Sequence, residues 1–303
     1  MKSELVFAKM DPAICLSGLF RTLKKGERRK GKLDITFKFG DAIVRFVGFE
    51  PLGVDDMRVL QGLVALAGPA GMSVSANTSF KNGLKVRKRM QLQGAAASED
   101  TLAVRTRLKT FLAELGKENP GGRDIKLLRA SLLRLANVTV CVTVGSKIGT
   151  AHLLSFAADT ADTADTEESE EPPPALESSF ADDASIKTGE LIVNLNPRLS
   201  KIILGDSGYT RIEMSEVRAL KSDIASLIHQ RLCGFIAPGK SREVGLETVM
   251  SYAYPQQMSA SGVTLRQWRS RVRLALEELR ALPGWEITEA RRGVFKISRK
   301  RLA

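Results

Sequence analysis

The spacing of apolar positions changes several times along the chain, and each change marks an element. LDITFKF (Leu33–Phe39) and IVRFVGF (Ile43–Phe49) alternate apolar and polar residues around Gly40-Asp41, the pattern of a β-hairpin. Three helical patterns follow. Asp55 and Asp56 open DDMRVLQGLVALAGP, expected to stop at Gly68-Pro69; Ser98 opens SEDTLAVRTRLKTFLAELG, with Gly116 as its stop; Gly122 precedes RDIKLLRASLLRLAN. VTVCVTV (Val138–Val144) and AHLLSF (Ala151–Phe156), joined by GSKIGT, read as a second hairpin.

Further along, the order recurs. LIVNL (Leu191–Leu195) is followed by a short helix from Asn196-Pro197, the strand-like YTRIEM, and one long helix from Ser215 to the Pro238-Gly239 stop. A short VGLETVMSYAY segment, the helix TLRQWRSRVRLALEELRAL and the strands WEITEA and GVFKISR around Arg291-Arg292-Gly293 come last. Both halves therefore end with a helix feeding a β-hairpin. That predicts an α+β fold of two winged-helix domains, in which a third helix enters the major groove and the hairpin touches the backbone.

Length agrees, since 303 residues at roughly 100 to 200 per domain suggest two. Between the halves lies ADTADTADTEESEEPPPALESSFADDAS, which is too polar to bury a core and carries three consecutive prolines, Pro172 to Pro174. It is expected to be an acidic, Pro-containing linker. The expected organisation is a basic N-terminal arm (1–32), an N-terminal winged-helix domain (33–156), the linker (157–189) and a C-terminal winged-helix domain (190–303).

Charge sharpens the functional reading. Lys plus Arg number 46 and Asp plus Glu 34, a net of +12, but residues 157–190 alone carry −10 and leave +22 on the other 269. Such a surplus suits a polyanion, because each phosphate neutralised by Lys or Arg releases a condensed counterion. Double-stranded DNA is the partner expected. No apolar run approaches the roughly 20 residues that cross a bilayer, and Glu4, Lys9 and Asp11 interrupt any signal-peptide core, so a cytoplasmic protein without membrane contact is expected. Three scattered cysteines (Cys15, Cys141, Cys233) and two histidines (His152, His229) argue against a disulfide framework, a zinc cluster or another metal site.

The most informative segment is Thr264–Leu282. At about 100° per residue, Trp268, Val272, Ala275, Leu279 and Leu282 share one face, and Arg266, Arg269, Ser270, Arg273 and Arg280 gather opposite, with Gln267 near the N-terminal end. Forked guanidinium donors suit phosphates and the O6/N7 edge of guanine, and a Gln can pair with adenine. Arg291 and Arg292 at the hairpin tip add to this basic surface. The counterpart, Arg123–Leu135, sets Ile125, Leu128, Leu132 and Leu135 against Arg123, Lys126 and Arg134, with Arg129 to one side; packing with dimerisation and groove reading fit it equally. The run RTLKKGERRKGK holds seven bases, among them Lys24, Lys25, Arg28 and Arg29, and suits nonspecific phosphate contact.

GFIAPGKS (Gly234–Ser241) matches the phosphate-binding pattern G-x-x-x-x-G-K-[ST]. The cradle needs a strand entering the loop and a helix starting at Lys-Ser, whereas Gly234 ends a helical pattern. A helix-terminating turn is the better account. No catalytic constellation emerges; His152, His229, Cys141 and Cys233 lack sequence-local partners and read as packing residues, and no cofactor is expected.

The stretches GLFRTLKKGERRKGKLDITF, EPLGVDDMRVLQGLVALAGP, VRALKSDIASLIHQRLCGFIAPGK and LEELRALPGWEIT resemble the RepC replication initiators of IncQ-type plasmids. The resemblance implies a non-enzymatic initiator that binds directly repeated iterons at the plasmid origin, helps open adjacent AT-rich DNA, and admits the plasmid helicase RepA and primase RepB. It also implies that the C-terminal module makes the main groove contacts, through Arg266, Gln267, Arg269 and Arg273, and that the N-terminal one adds contacts or forms a homodimer. Composition does not separate this reading from a winged-helix transcriptional repressor; the remaining alternative, less favoured, is a P-loop ATPase that loads a helicase through Gly234 to Ser241.

Overall fold

The computed structural model describes residues 5–158, 189–255 and 262–301, apart from residues 25, 78, 80–83, 85–86 and 89. The acidic stretch expected as a linker falls almost wholly on 159–188, outside the described residues.

The N-terminal segment departs from the expected arm. Phe7–Met10 is a strand (β1) and Pro12–Leu16 a helix (α1) capped by Asp11, whose side chain accepts the Ala13 amide at 2.8 Å. Alternating apolar residues bury there, with Leu5, Ala8, Met10, Ile14, Leu19 and Phe20 all at most 2% exposed. Burial of that much apolar surface holds the segment in place, and the basic loop after it carries the exposed Lys24, Arg29 and Lys30.

The hairpin β2 (Leu33–Phe39) and β3 (Ala42–Gly48) forms around Gly40-Asp41 as the alternation requires. Helix α2 (Val54–Ala70) runs past Gly68-Pro69, because a proline in the last turn removes a single amide bond and Gly71 still donates to the Ala67 carbonyl. Strands β4 (Met72–Val74) and β5 (Gln93–Gly94) follow. The expected helix at Ser98 is corrected. Thr101–Arg107 is a strand (β6), and the helix, α3, spans only Leu108–Glu114. The β-branched alternation TLAVRTR finds an antiparallel partner in Glu190–Leu195 (β10), and that long-range ladder overrides the local helix signal. Helix α4 (Gly122–Ala136), then β7 (Thr139–Val144), β8 (Lys147–His152) and β9 (Leu154–Ala158), close this half.

Beyond β10, Asn196 caps α5 (Pro197–Leu204) by accepting the Leu199 amide, and β11 (Thr210–Glu213) follows. The expected long helix from Ser215 is two helices, α6 (Met214–Ala219) and α7 (Asp223–Phe235). Ser222 is the N-cap that divides them, accepting the Ala225 amide. Strand β12 (Ser241–Gly245), helices α8 (Leu246–Ala253) and α9 (Gly262–Arg280), and the hairpin β13 (Trp285–Arg291) and β14 (Val294–Arg299) complete the order.

Among the described residues four sheets form, ordered β2-β3-β7-β8-β5, β4-β6-β10-β9, β12-β14-β13 and β1-β11. Two of them mix the halves. β10 lies between β6 and β9, and β1 pairs with β11. The contact continues through α2 and α7, where buried Gln61 donates to Gln230 at 2.8 Å and Arg58 reaches the Leu220 carbonyl and the Ser226 hydroxyl. One apolar cluster extends from Leu5 to Ile297.

Candidate nucleic-acid interface

Helix α9 is positioned by its apolar face. Val272, Ala275, Leu276 and Leu279 are at most 2% exposed, and Trp268 stacks on Tyr254 with ring centroids 4.4 Å apart. At its C-terminal end Glu278 accepts the amides of Lys221 and Ser222 at 2.5 and 3.2 Å, tying the α6–α7 turn to α9. The opposite face is solvent. Arg266, Gln267, Arg269, Ser270 and Arg273 are all exposed there, and so are Arg291 and Arg292 at the end of the hairpin. Leu274, at 68% exposure, stands among them, and Arg271 lies exposed at the flank. The sequence reading omitted both; an apolar residue outside the core stripe was the available signal for Leu274.

These arginines are not equivalent. Arg269 meets Glu247 of α8 at 2.7 Å, and Arg273 meets Glu289 of β13 at 3.1 and 3.3 Å while lying over the Phe295 ring. Glu289 also accepts the Gly293 amide at 2.7 Å, and the Arg273 hydrogen bond, followed by that amide, holds its carboxyl below the usual range. Arg266, Arg291 and Arg292 have no ion-pair partner among the described residues.

The base of this surface rests on a buried polar cluster that local sequence does not reveal. His229 Nε2 lies 2.6 Å from Glu216 Oε2 and 3.5 Å from Cys233 Sγ, and Trp285 Nε1 donates to the other Glu216 oxygen at 2.9 Å. Burial by itself drives the imidazole down, but Cys233 and Glu216 outweigh it and raise His229 to about 9. A protonated histidine facing a carboxylate thus joins α6, α7 and β13. His229 is therefore an ion-pair member rather than a plain packing residue.

In the first half, Arg123 and Lys126 of α4 are exposed and Arg129 is half-buried. Leu127 and Leu133 also face outward, at 56% and 38% exposure, so this surface is more apolar than that of α9. Arg134 differs from expectation. Its guanidinium turns inward to Asp56 at 2.8 Å and Asp55 at 2.9 Å, and Arg28 reaches the same two carboxylates at 3.2 and 2.5 Å. Asp56 is fully buried, where desolvation and then the neighbouring Asp55 push its carboxyl up. The two arginines neutralise this acidic N-terminus of α2 and anchor α4 and the basic loop to it, so they are corrected from candidate DNA contacts to structural ion pairs. Lys24 and Arg29 of the loop remain exposed, and Lys25 lies outside the described residues.

The Gly234–Ser241 stretch has the order opposite to a phosphate cradle. Gly234 lies in the last turn of α7 and Ser241 begins β12, giving helix, turn and strand. The amides that would face a phosphate are engaged, Gly239 with the Arg299 carbonyl at 2.7 Å and Lys240 with the Ala237 carbonyl at 3.0 Å. Among the described residues no helix is long and apolar enough to cross a membrane.

The family profile described as Replication protein C (RepC) matches residues 2–165 and 173–301. A search of curated proteins finds no match. Among solved structures, selenomethionine derivatives of domain 2 and domain 3 of RctB superpose with a TM-score of 0.55 at 10% identity, covering 96% of this chain and 99% of that one. A second structure of RctB domains 2–3 gives 0.51 at 13% identity, covering 95% of each. At such identity the likeness concerns the fold alone.

Proposed function

The chain belongs to the replication protein C family, and from that premise we propose that it is an origin-binding replication initiator that acts by gripping duplex DNA, without catalysis. The observation that carries this reading is the two-faced α9. Its apolar side is locked in the core, its outward side carries Arg266, Gln267, Ser270 and Arg273, and a hairpin with exposed Arg291 and Arg292 follows at once.

In this reading α7, β12, α8, α9 and the β13–β14 hairpin form a winged-helix module. Its α9 lies in the major groove and its hairpin meets the backbone. Arg266 and Gln267 read base edges, Leu274 touches a thymine methyl, and Arg291 and Arg292 take phosphates. The succession α2, β6, α3, α4 and the β7–β8 hairpin is the matching module of the first half, with Arg123, Lys126 and Arg129 toward DNA. A two-module reading is supported by the near-complete overlap with a structure described as two domains. The acidic 157–189 stretch then leads from β9 to β10, and the modules of residues 33–156 and 190–303 share the β4-β6-β10-β9 sheet.

Mechanistically, two modules on one face of a repeat of about 20 base pairs span two helical turns and bend the duplex. Occupancy of successive iterons strains neighbouring AT-rich DNA, where the plasmid helicase RepA and primase RepB are admitted in the cytoplasm. Replication of a minimal origin plasmid, with the protein supplied in trans, tests the role. Replication lost in Arg266→Ala supports it; replication independent of the protein, with repression of a promoter intact, makes it a repressor instead.

A further inference from the structure

A groove of about 640 Å³ opens where the basic loop, α2, the α3–α4 pair and the α6–α7 turn meet. Its floor is apolar, with Leu23 and Leu115 half-buried and Leu127 at 56% exposure. Its rim is basic. Six cations line it against three carboxylates, and two of those three are already held, Asp55 by Arg28 and Arg134 and Asp124 by Lys117 at 3.4 Å. The third, Asp223, lies in the first turn of α7, where it offsets the positive end of the helix. Lys24 and Arg29 are exposed and have no ion-pair partner among the described residues.

Duplex DNA matches only half of this surface. Phosphates suit Lys24 and Arg29, but a duplex brings no apolar side chain to the leucines, which gain by leaving water. An acidic segment with large apolar residues matches both. The chain holds one, since residues 159–188 carry ten acids and one base, and LESSFADD (176–183) sets Leu176 and Phe180 among Glu177, Asp182 and Asp183. That stretch also ends close to the groove. The Gly189 carbonyl accepts the Leu108 amide at 2.9 Å, and Leu108 opens α3, whose Leu112 lines the groove about 6 Å further along the helix. Phe180 precedes Gly189 by nine residues, a span of up to about 30 Å, which is ample for that path. A segment tethered so near meets the groove at an effective concentration on the order of millimolar.

We propose that residues 176–183 dock in this groove of their own chain, with Leu176 and Phe180 against Leu23, Leu115 and Leu127, and the three carboxylates against Lys24, Arg29 and Lys117. The docked segment occupies cations that otherwise neutralise phosphates, so it holds down sequence-independent binding, while α9, which contributes nothing to the groove, stays free to read bases. The docking itself stands apart from the reading of the protein as an initiator; its effect on DNA binding rests on that reading.

Carbodiimide coupling, which joins a lysine amine to a carboxylate in contact with it, tests the docking on the full chain without DNA, in an equal mixture of unlabelled and heavy-isotope chains. Mass spectrometry is expected to find Lys24 or Lys117 joined to Glu177, Asp182 or Asp183 within one chain. Leu176→Ser combined with Phe180→Ser keeps every charge, and is expected to reduce that product about tenfold and to raise affinity for unrelated duplex DNA several-fold. No such product, a product formed only between chains, or one undiminished by the double substitution overturns the proposal, as does unchanged affinity for unrelated DNA in the double variant. A chain that yields the product but binds no duplex at all keeps the docking and loses the initiator reading instead.

Discussion

Arg273 on α9 holds Glu289 on β13 at 3.1 Å, and the same carboxylate accepts the Gly293 amide at 2.7 Å, so one ion pair fixes the hairpin turn relative to the exposed helix face. Both side chains are well exposed, at 44% and 38%. Solvent screening leaves such a pair only a small net contribution to stability. In Arg273→Ala, urea unfolding is therefore expected to shift little, while affinity for origin DNA falls by about 1 to 3 kcal/mol. A large stability loss with unchanged affinity would reverse the assignment.

Arg266 and Lys24 separate reading from gripping. Arg266→Ala is expected to lower affinity for the cognate repeat more than for unrelated DNA. Lys24→Ala is expected to weaken both alike and reduce the slope of log K against log salt by about 1. Fluorescence anisotropy titrations at several salt concentrations check both.

What local pattern could and could not reveal follows from the range of each interaction. The β2–β3 and β13–β14 hairpins and the amphipathic α4 and α9 depend on short-range spacing and were legible. The β6 strand is hidden from local pattern because its partner β10 lies far along the chain and Ser98 resembles a helix cap. The break at Ser222 was hidden inside an unbroken apolar stripe. Arg134 and Arg28 looked like free basic residues because Asp55 and Asp56, which neutralise them, are distant in sequence. His229 looks like a packing residue for the same reason, since Glu216 reaches it, and Trp285 reaches Glu216, only in the fold.

His229, with Cys233 and Glu216 beside it, gives stability a direction with pH. A histidine raised to about 9 in the folded state, against roughly 6.5 unfolded, contributes stability fully below pH 6.5 and loses it as pH climbs through 9. The loss is on the order of 3 kcal/mol. Chemical unfolding between pH 6 and 10 is expected to show this decline, and His229→Phe is expected to be less stable throughout and to lack it, because Glu216 is left buried without its cation. A wild-type curve flat up to pH 10 would contradict the pair.

Arg134→Ala is expected to destabilise the chain by about 3 kcal/mol, since it removes one of two cations from the buried Asp56. The salt slope of DNA binding by the remaining folded protein is expected to stay unchanged. A reduced slope with normal stability would return Arg134 to the DNA surface.

Lys240→Ala is expected to leave DNA binding and stability unaltered, and calorimetry with ATP and magnesium to show no heat of binding by the wild-type chain, because the Gly239 and Lys240 amides are already engaged. Nucleotide binding abolished by this substitution would revive the ATPase reading.

Hydroxyl-radical footprinting of the full chain on origin DNA tests the central claim most directly. The account expects protection of directly repeated sites, on one face of the helix and in patches about one helical turn apart, and its disappearance when Arg266→Ala is combined with Arg292→Ala. Protection that ignores the repeats, or that survives the double substitution undiminished, would contradict it.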